Sequence, residues 1–213
     1  MKQITVITIT CNRLELTKQY LSQLKLKGGY PFKHIIVDNG STDGTLEWLR
    51  DVYKPDIILS LDKNYGIVDA WKIGIKRAIK LGADFIIKFD NDCEIHTDKI
   101  LVHLLDWYKK GCDNYVIAPL DVVIPPDYMP RELHSGTERD VKVRYVSHTG
   151  GMFQMLPVKA AKMLLDCKDN NLIGADLLRG HFFINKGITV VYLTDLKISH
   201  RGINKQTLNY KLK

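Results

Sequence analysis

The chain has 213 residues, 45% of them hydrophobic, which suits a single domain with an ordinary core. Its formal net charge is +7, but the basic residues are scattered, which argues against nucleic-acid binding and leaves peripheral contact with an anionic membrane open. No secretory signal or membrane-spanning segment is recognisable, and the four cysteines form no closely spaced pair, so we expect a cytoplasmic protein with reduced thiols.

Short β-branched segments alternate with amphipathic segments through the first half of the chain. This alternation predicts an α/β fold with a mostly parallel central sheet flanked by helices. The predicted strands are Ile4–Thr10, His34–Val37, Ile57–Leu61, Asp84–Phe89 and Tyr115–Ala118. The predicted helices are Leu14–Lys25, Thr45–Val52, Gly66–Leu81 and Asp98–Lys109.

The second half of the chain has a less regular pattern. Pro125–Asp140 holds prolines and many charges, which predicts a long loop or a hairpin, and Tyr128 and Met129 within it are candidates to stack on a ligand ring. The further predicted elements are a strand near Val143–Ser147, helices at Pro157–Leu165 and Asp176–Lys186, and a strand at Ile188–Tyr192.

Polar residues follow several of the predicted strands. In an open α/β sheet, ligands bind beyond the carboxyl ends of the strands, so these residues are expected to converge on one crevice. They are Thr10, Asn12, Asp38, Asn39, Asn64, Asp90 and Asp92.

The segment Asp90-Asn91-Asp92 brings two carboxylates close together at the end of an apolar run. Adjacent carboxylates raise one another's pKa unless a cation lies between them. A divalent ion that prefers oxygen ligands, Mg²⁺ or Mn²⁺, would remove the repulsion and bridge phosphate oxygens. The alternative is a turn in which Asp or Asn caps the following helix, and the spacing alone does not separate the two.

A longer string, Asp38-Asn39-Gly40-Ser41-Thr42-Asp43-Gly44-Thr45, is more specific, and with it the chain resembles the GT-A glycosyltransferases, in particular glycosyltransferase family two. The remaining motifs stand in the family's order along nearly the whole chain, except for about residues 121–140. They are Thr8 to Arg13, Asn64-Tyr65-Gly66, Asp90-Asn91-Asp92, Gly150-Gly151, Asp176 and His200.

The resemblance implies a single GT-A domain, a Rossmann-like nucleotide-diphospho-sugar transferase fold, over residues 1–213. Residues 1–95 would be the nucleotide-binding half and residues 96–213 the acceptor-binding half. It further implies metal-dependent transfer of a sugar from a nucleotide-diphosphate sugar, most simply a UDP-sugar, to a hydroxyl of a carbohydrate or glycoconjugate acceptor. Direct in-line displacement with inversion is favoured, and retention stays open.

The resemblance also implies roles for individual residues. Asp38 would hydrogen-bond the base, Asp92 and His200 would ligate Mn²⁺ or Mg²⁺, and Asp176 would be the general base. Asp90 would accept from the ribose or hold the metal through water, and Gly151 would allow a close approach of the backbone. The other expected donor-binding residues are Thr8, Thr10, Asn12, Arg13, Asn39, Ser41, Asn64, Gly66, Lys72 and Asn91.

Two positions depart from the family pattern: Ala175 replaces a glutamate before the base, and Lys72 replaces an asparagine, so it would reach a phosphate or face solvent. Two other functions stay open, a sugar-1-phosphate nucleotidyltransferase and a nucleotide-sugar-binding module without turnover. The first usually carries a glycine-rich loop after its first strand, and here Thr10 to Leu14 holds no glycine. The other histidines are expected to be structural or exposed: His34, His96, His103, His134, His148 and His181.

Overall fold

The computed structural model describes residues 1–111, 113–123, 129–170 and 176–201. Its strands are β1 (Ile4–Thr10), β2 (Phe32–Asp38), β3 (Ile57–Ser60), β4 (Phe85–Phe89), β5 (Cys93–Ile95), β6 (Tyr115–Asp121), β7 (Glu132–Glu138), β8 (Val141–Val146), β9 (Phe153–Pro157) and β10 (Thr189–His200). Its helices are α1 (Leu14–Tyr20), α2 (Gln23–Lys27), α3 (Thr45–Trp48), α4 (Gly66–Lys80), α5 (Ile100–Lys109), α6 (Val158–Asp166) and α7 (Asp176–Asn185). A π-helical turn, Leu49–Tyr53, continues α3.

The strands form one sheet in the order β3-β2-β1-β4-β9-β6-β10-β8-β7, and β5 pairs with β10 outside this order. The pairs β3–β2, β2–β1, β1–β4 and β6–β10 are parallel, whereas β9 runs antiparallel to both β4 and β6. All described strands except β5, β8 and β9 therefore point the same way. The predicted α/β fold with a mostly parallel central sheet is confirmed.

Two apolar clusters lie on opposite faces of this sheet. On β1, Val6 belongs to one cluster and Ile7 to the other, as the two-residue period of a strand requires. The first cluster includes the apolar face of α5, and the second includes α4 and α6. Helix α4 packs so closely on β1 that a Cβ at Gly74 would lie 2.6 Å from Cγ2 of Ile7, which explains the glycine.

Several elements differ from their predicted form. The predicted helix Leu14–Lys25 is interrupted between α1 and α2, and the Pro125–Asp140 region contributes to the β7–β8 hairpin. Strands β5 and β9 were not predicted. Strand β9 is buried along its whole length between β4 and β6, so it shows no alternation of polar and apolar residues. Strand β10 extends to His200, beyond the predicted Tyr192, because a register shift between Leu193 and Lys197 accommodates polar residues.

Other expectations concern single residues. The His34 ring is buried, with Nε2 3.0 Å from Oγ1 of Thr8 and Nδ1 2.8 Å from the hydroxyl of Tyr53, which is a structural role. Cys11, Cys93 and Cys167 are free thiols, and Cys112 lies outside the described residues. Within the described ranges, none of the helices has the length and apolar character needed to cross a membrane.

Candidate active site

A cleft of about 520 Å³ opens at the edge of the sheet where β1, β2 and β4 end. The parallel register brings Thr10 at the end of β1 beside Asp38 at the end of β2. Of the seven residues expected to converge on a crevice, Asn39, Asn64, Asp90 and Asp92 line this cleft, whereas Thr10, Asn12 and Asp38 are not among its lining residues. Its lining residues are Ile9, Cys11, Arg13, Asn39, Asn64, Gly66, Ile67, Asp90, Asn91, Asp92 and His200.

The loops after β1 and β2 hold each other in place. The Asn12 amide donates to Oγ of Ser41 at 2.8 Å, and the Thr42 amide donates back to Oδ1 of Asn12 at 2.8 Å. Asn12 and Arg13 both have left-handed backbone, with φ of 60° and 66°. These contacts fix the turn that aims the Arg13 side chain at the cleft.

Asp38 is the last residue of β2, directly before the second of these loops, and is 1% exposed. Its Oδ2 accepts a hydrogen bond from the Ser41 amide at 3.3 Å, but its buried Oδ1 has no partner within the described residues. A buried acceptor without a partner is costly, so this oxygen suits a ligand that brings an N–H donor.

Asn39 and Asn64 brace the start of α4. Oδ1 of Asn39 accepts from the Tyr65 amide at 2.9 Å, and its amide group donates to Oδ1 of Asn64 at 2.9 Å. Oδ1 of Asn64 in turn accepts from the Gly66 amide at 2.8 Å. The positive end of the α4 dipole is thereby held at the cleft, where it favours an anionic group.

Asp92 contacts one arginine and one histidine side chain. Its Oδ2 lies 2.8 Å from Nη1 of Arg13 and 3.2 Å from Nε2 of His200. Burial by itself would raise the pKa of Asp92, but the hydrogen bond and charge of His200, together with Arg13, lower it. For His200 burial would lower the pKa, and Asp92 raises it above its usual value. Asp92 is therefore ionised at neutral pH.

The donor set at this point suits a divalent ion with two protein ligands. In the part of the chain that the structure describes, no group of three or more His, Cys, Asp or Glu side chains forms a complete metal centre. The Asp92 oxygen and the His200 nitrogen are 3.2 Å apart, so these two side chains would be the ones to hold such an ion. A carboxylate plus an imidazole fits Mn²⁺, with the other positions left to substrate oxygens and water.

Asp90 is held by a buried lysine that the sequence analysis missed. Lys88 donates from its ammonium group to Oδ1 of Asp90 and, at 2.6 Å, to the Gly151 carbonyl. Burial raises the pKa of Asp90, the charge of Lys88 opposes this, and Asp92 adds to the rise. Lysine in an otherwise apolar strand was the signal that could have found it.

Asp176, at the start of α7, contacts the loop that contains Gly150 and Gly151, to which Lys88 also donates. Its Oδ2 accepts from the Gly151 amide at 2.9 Å, and Arg179 donates to its Oδ1. Burial would raise the pKa of Asp176, but the charges of Arg179 and Lys88 lower it, so the group is ionised at neutral pH. The neighbouring Gly150 amide donates to the Tyr192 hydroxyl at 2.8 Å, which anchors the loop to β10.

Some predicted site residues have other contacts. The Lys72 ammonium donates to Asn170 at 2.9 Å and to the Cys167 carbonyl at 3.2 Å, and it is not part of the cleft lining. Thr8 faces His34 in the core. Asn91 lines the cleft but donates to Oγ1 of Thr17 at 2.7 Å, which braces α1. Met129 is half-buried, and Tyr128 and Ala175 lie outside the described residues.

A further buried carboxylate was missed. Asp121 ends β6 and is 5% exposed. Its Oδ1 accepts from the Val123 amide at 2.9 Å, and Oδ2 has no partner in the described ranges. Its position at a strand end, like that of Asp38, was an available signal.

Comparison with solved structures shows the same fold in several glycosyltransferases. A mannosyltransferase from Pyrobaculum calidifontis, in complex with GDP-Man and Mn²⁺, matches with a TM-score of 0.73 and 15% identity, over 98% of this chain and 59% of that one. Staphylococcus aureus TarS, in complex with UDP-GlcNAc, matches with a TM-score of 0.64 and 16% identity, over 97% of this chain and 61% of that one. GalNAc-T7, in complex with UDP, GalNAc and Mn²⁺, matches with a TM-score of 0.67 and 12% identity, over 93% of this chain and 43% of that one.

The chain therefore spans less than two thirds of the length of each of these proteins. A search of curated protein sequences found no match. The sequence model for Glycosyl transferase family 2 matches residues 5–164, which include the motifs from Thr8 through Gly151. Because this model matches most of the chain, and because the fold agrees with the GT-A fold of the similar structures, the chain belongs to glycosyl transferase family 2.

Proposed function

We propose that the protein is a metal-dependent glycosyltransferase that moves a sugar from a nucleotide-diphosphate sugar, most simply a UDP-sugar, to an acceptor hydroxyl of a carbohydrate or glycoconjugate. The observation that supports this is the cleft lined by Asn39, Asp90, Asp92 and His200. Asp38 ends the neighbouring strand β2, and Asp176 is joined to Asp90 through Gly151 and Lys88. The nucleotide sugars and Mn²⁺ bound by the structurally similar proteins support it.

The donor half, residues 1–95, would bind the nucleotide. The free oxygen of Asp38 would accept an N–H of the base, beside Thr10 and Asn12, while Ser41 keeps this loop in shape. Asn39 and Asn64 would keep the start of α4 directed at the diphosphate. Asp90 would accept from a ribose hydroxyl.

Asp92 and His200 would hold the divalent ion, which when bound neutralises the charge on the diphosphate leaving group. Arg13, already in contact with Asp92, lies where its guanidinium would contact a phosphate oxygen. The neighbouring Asn91 would keep this strand end rigid through its bond to Thr17.

The acceptor half, residues 96–213, would supply the base. Asp176 is ionised and about one third of its side chain is exposed, so it would take the proton of the acceptor hydroxyl. The acceptor oxygen then bonds to the anomeric carbon while the bond to the diphosphate oxygen breaks. Displacement in one step inverts the anomeric centre, and the Gly151 backbone would lie against the reacting sugar.

Calorimetric titration of UDP into the protein, with Mn²⁺ and again with EDTA, tests this proposal. We expect tight binding only when the metal is present. GDP and dTDP titrations in the same buffers identify the base if UDP does not bind. If none of the three diphosphates binds, the proposed function is wrong. A sugar-1-phosphate nucleotidyltransferase would form a nucleotide sugar from a nucleoside triphosphate and a sugar phosphate. We expect no such product when this protein is incubated with the two substrates.

A further inference from the structure

Lys88 is an unusual residue for the centre of a sheet. It is 7% exposed, and its neighbours Ile87 and Phe89 on β4 belong to the apolar core. A buried ammonium group is costly unless charged or polar partners compensate for lost hydration. The hydrogen-bond partners of the Lys88 ammonium group therefore indicate its role.

The Lys88 ammonium is shared by two parts of the site. On one side it donates to the carboxylate of Asp90, and on the other it donates to the Gly151 carbonyl at 2.6 Å. The amide of the same Gly151 donates to Oδ2 of Asp176 at 2.9 Å. One short chain of contacts therefore joins the strand-end aspartate to the proposed base.

The surrounding backbone makes this connection rigid. Strands β4 and β9 pair through Phe89 and Phe153, and the Asp90 amide donates to the Met152 carbonyl at 2.9 Å. The Gly151 loop has little space on its other side, because a Cβ there would lie 2.6 Å from Oδ1 of Asp176. A shift of the Lys88 ammonium would therefore shift the Gly151 loop and the carboxylate it holds.

We propose that Lys88 is a positioning residue for sugar transfer, whose ammonium group keeps the Asp90 carboxylate and, through the Gly151 loop, the Asp176 carboxylate in one fixed arrangement. This inference rests on the proposed function, in which Asp90 serves the donor and Asp176 the acceptor. Lys88 itself touches neither substrate, and its effect passes through Gly151 and Asp90.

The charge of Lys88 supports the same role. In the described part of the chain, the groups that interact with Asp176 include Arg179 on α7, Lys88 on β4, the Gly151 amide and Tyr192 on β10. Although burial raises the pKa of Asp176, Arg179 and then Lys88 lower it. Removal of the Lys88 charge is therefore expected to raise the pKa of Asp176 while its other partners stay.

The substitution Lys88→Gln tests the proposal, with Lys88→Arg as the conservative variant and Lys25→Gln as a matched control. Lys25 also donates to a backbone carbonyl, that of Tyr53, but it lies on α2 and not on β4. We expect Lys88→Gln to lower kcat about 10–100-fold and to move the acid limb of the kcat/KM profile to higher pH. Lys88→Arg should restore the profile and part of the rate.

Carbon-13 NMR titration of the aspartate carboxyls gives a readout that needs no turnover. We expect the Asp176 resonance to titrate at higher pH in Lys88→Gln than in the wild type and in Lys25→Gln. An unchanged Asp176 titration would overturn the proposal, even if the wild type proved to transfer no sugar. If Lys88→Gln does not fold, the nitrogen-15 resonance of the wild-type Lys88 ammonium should still move with the Asp176 titration, and an insensitive resonance would overturn the proposal.

Discussion

The Asp92 carboxylate and the His200 imidazole lie 3.2 Å apart, although 108 residues separate them along the chain. The pairing of β5 with β10 brings His200 opposite Cys93, directly after Asp92. The Arg201 amide also donates to the Asp92 carbonyl at 2.9 Å, which fixes the approach of the two segments. The two proposed metal ligands are thus brought together by backbone pairing rather than by a local motif.

We expect Asp92→Asn and His200→Gln each to weaken Mn²⁺-dependent binding of UDP by more than about 10-fold, because each removes one of two protein ligands. Calorimetry with and without EDTA measures this. The control is Asp106→Asn, which changes an exposed aspartate paired with Lys109 on α5. Wild-type affinity in both site variants would place the metal elsewhere.

Asp176→Asn should reduce sugar transfer by about 10²–10⁴-fold, the usual contribution of a general base, because an amide cannot accept the acceptor proton. UDP affinity should change little, since the proposed role of Asp176 concerns the acceptor and not the nucleotide. Initial rates and calorimetry on the same preparation separate the two effects. Asp166→Asn, at the exposed end of α6, is the matched control. A variant that transfers sugar at the wild-type rate would show that the base is another group.

Gly151→Ala should lower kcat by about 10–100-fold, since its Cβ would lie 2.6 Å from Oδ1 of Asp176 and 3.0 Å from Nη2 of Arg179. The expected damage is a displaced base, with UDP binding retained. Steady-state kinetics together with calorimetry check both parts. In Gly136→Ala the new Cβ would lie 3.6 Å from Nε2 of His134, an ordinary contact, so this control should behave as the wild type. Equal rates for the two variants would contradict the close approach.

His34 predicts a pH-dependent loss of stability. Burial, with a smaller effect of the Lys25 charge, lowers the pKa of His34 to about 3, whereas in the unfolded chain it is ~6.5. Between these two pKa values the unfolded state binds more protons than the folded state. The contribution of His34 to the free energy of unfolding is therefore fully present above pH ~6.5 and is lost as the pH falls toward 3. Wild-type protein should therefore lose about 2 kcal/mol from this group between pH 7 and pH 5.

Urea unfolding at the two pH values measures the difference. His34→Gln should be less stable overall, because the contacts with Thr8 and Tyr53 change, but it should lack this part of the pH dependence. His103→Gln, at an exposed position on α5, should keep the wild-type difference. The same pH dependence in His34→Gln would mean that other groups cause it.

The local features of this protein were predictable from the sequence. The β-branched run of β1 and the apolar stripe of α4 have the periods of a strand and a helix, and both were found with nearly the predicted bounds. The Asp38 to Thr45 string forms a turn before α3, in which Oδ1 of Asp43 accepts from the Thr45 amide at 3.1 Å. These interactions join residues close in sequence, so the pattern itself carries the information.

The contacts across the sheet were decided only by the tertiary structure. Strand β9 enters between β4 and β6, and this insertion brings Gly151 to Lys88 and Asp176 to Gly151. Lys72, expected near the donor, instead binds the segment after α6. Strand order depends on which apolar faces bury one another over long separations, and a lysine in a strand reveals its partner only when the neighbouring strand is known. Local patterns in the sequence therefore predicted the family, most elements of the first half and the position of the crevice, whereas packing over long separations decided which charged side chains meet there.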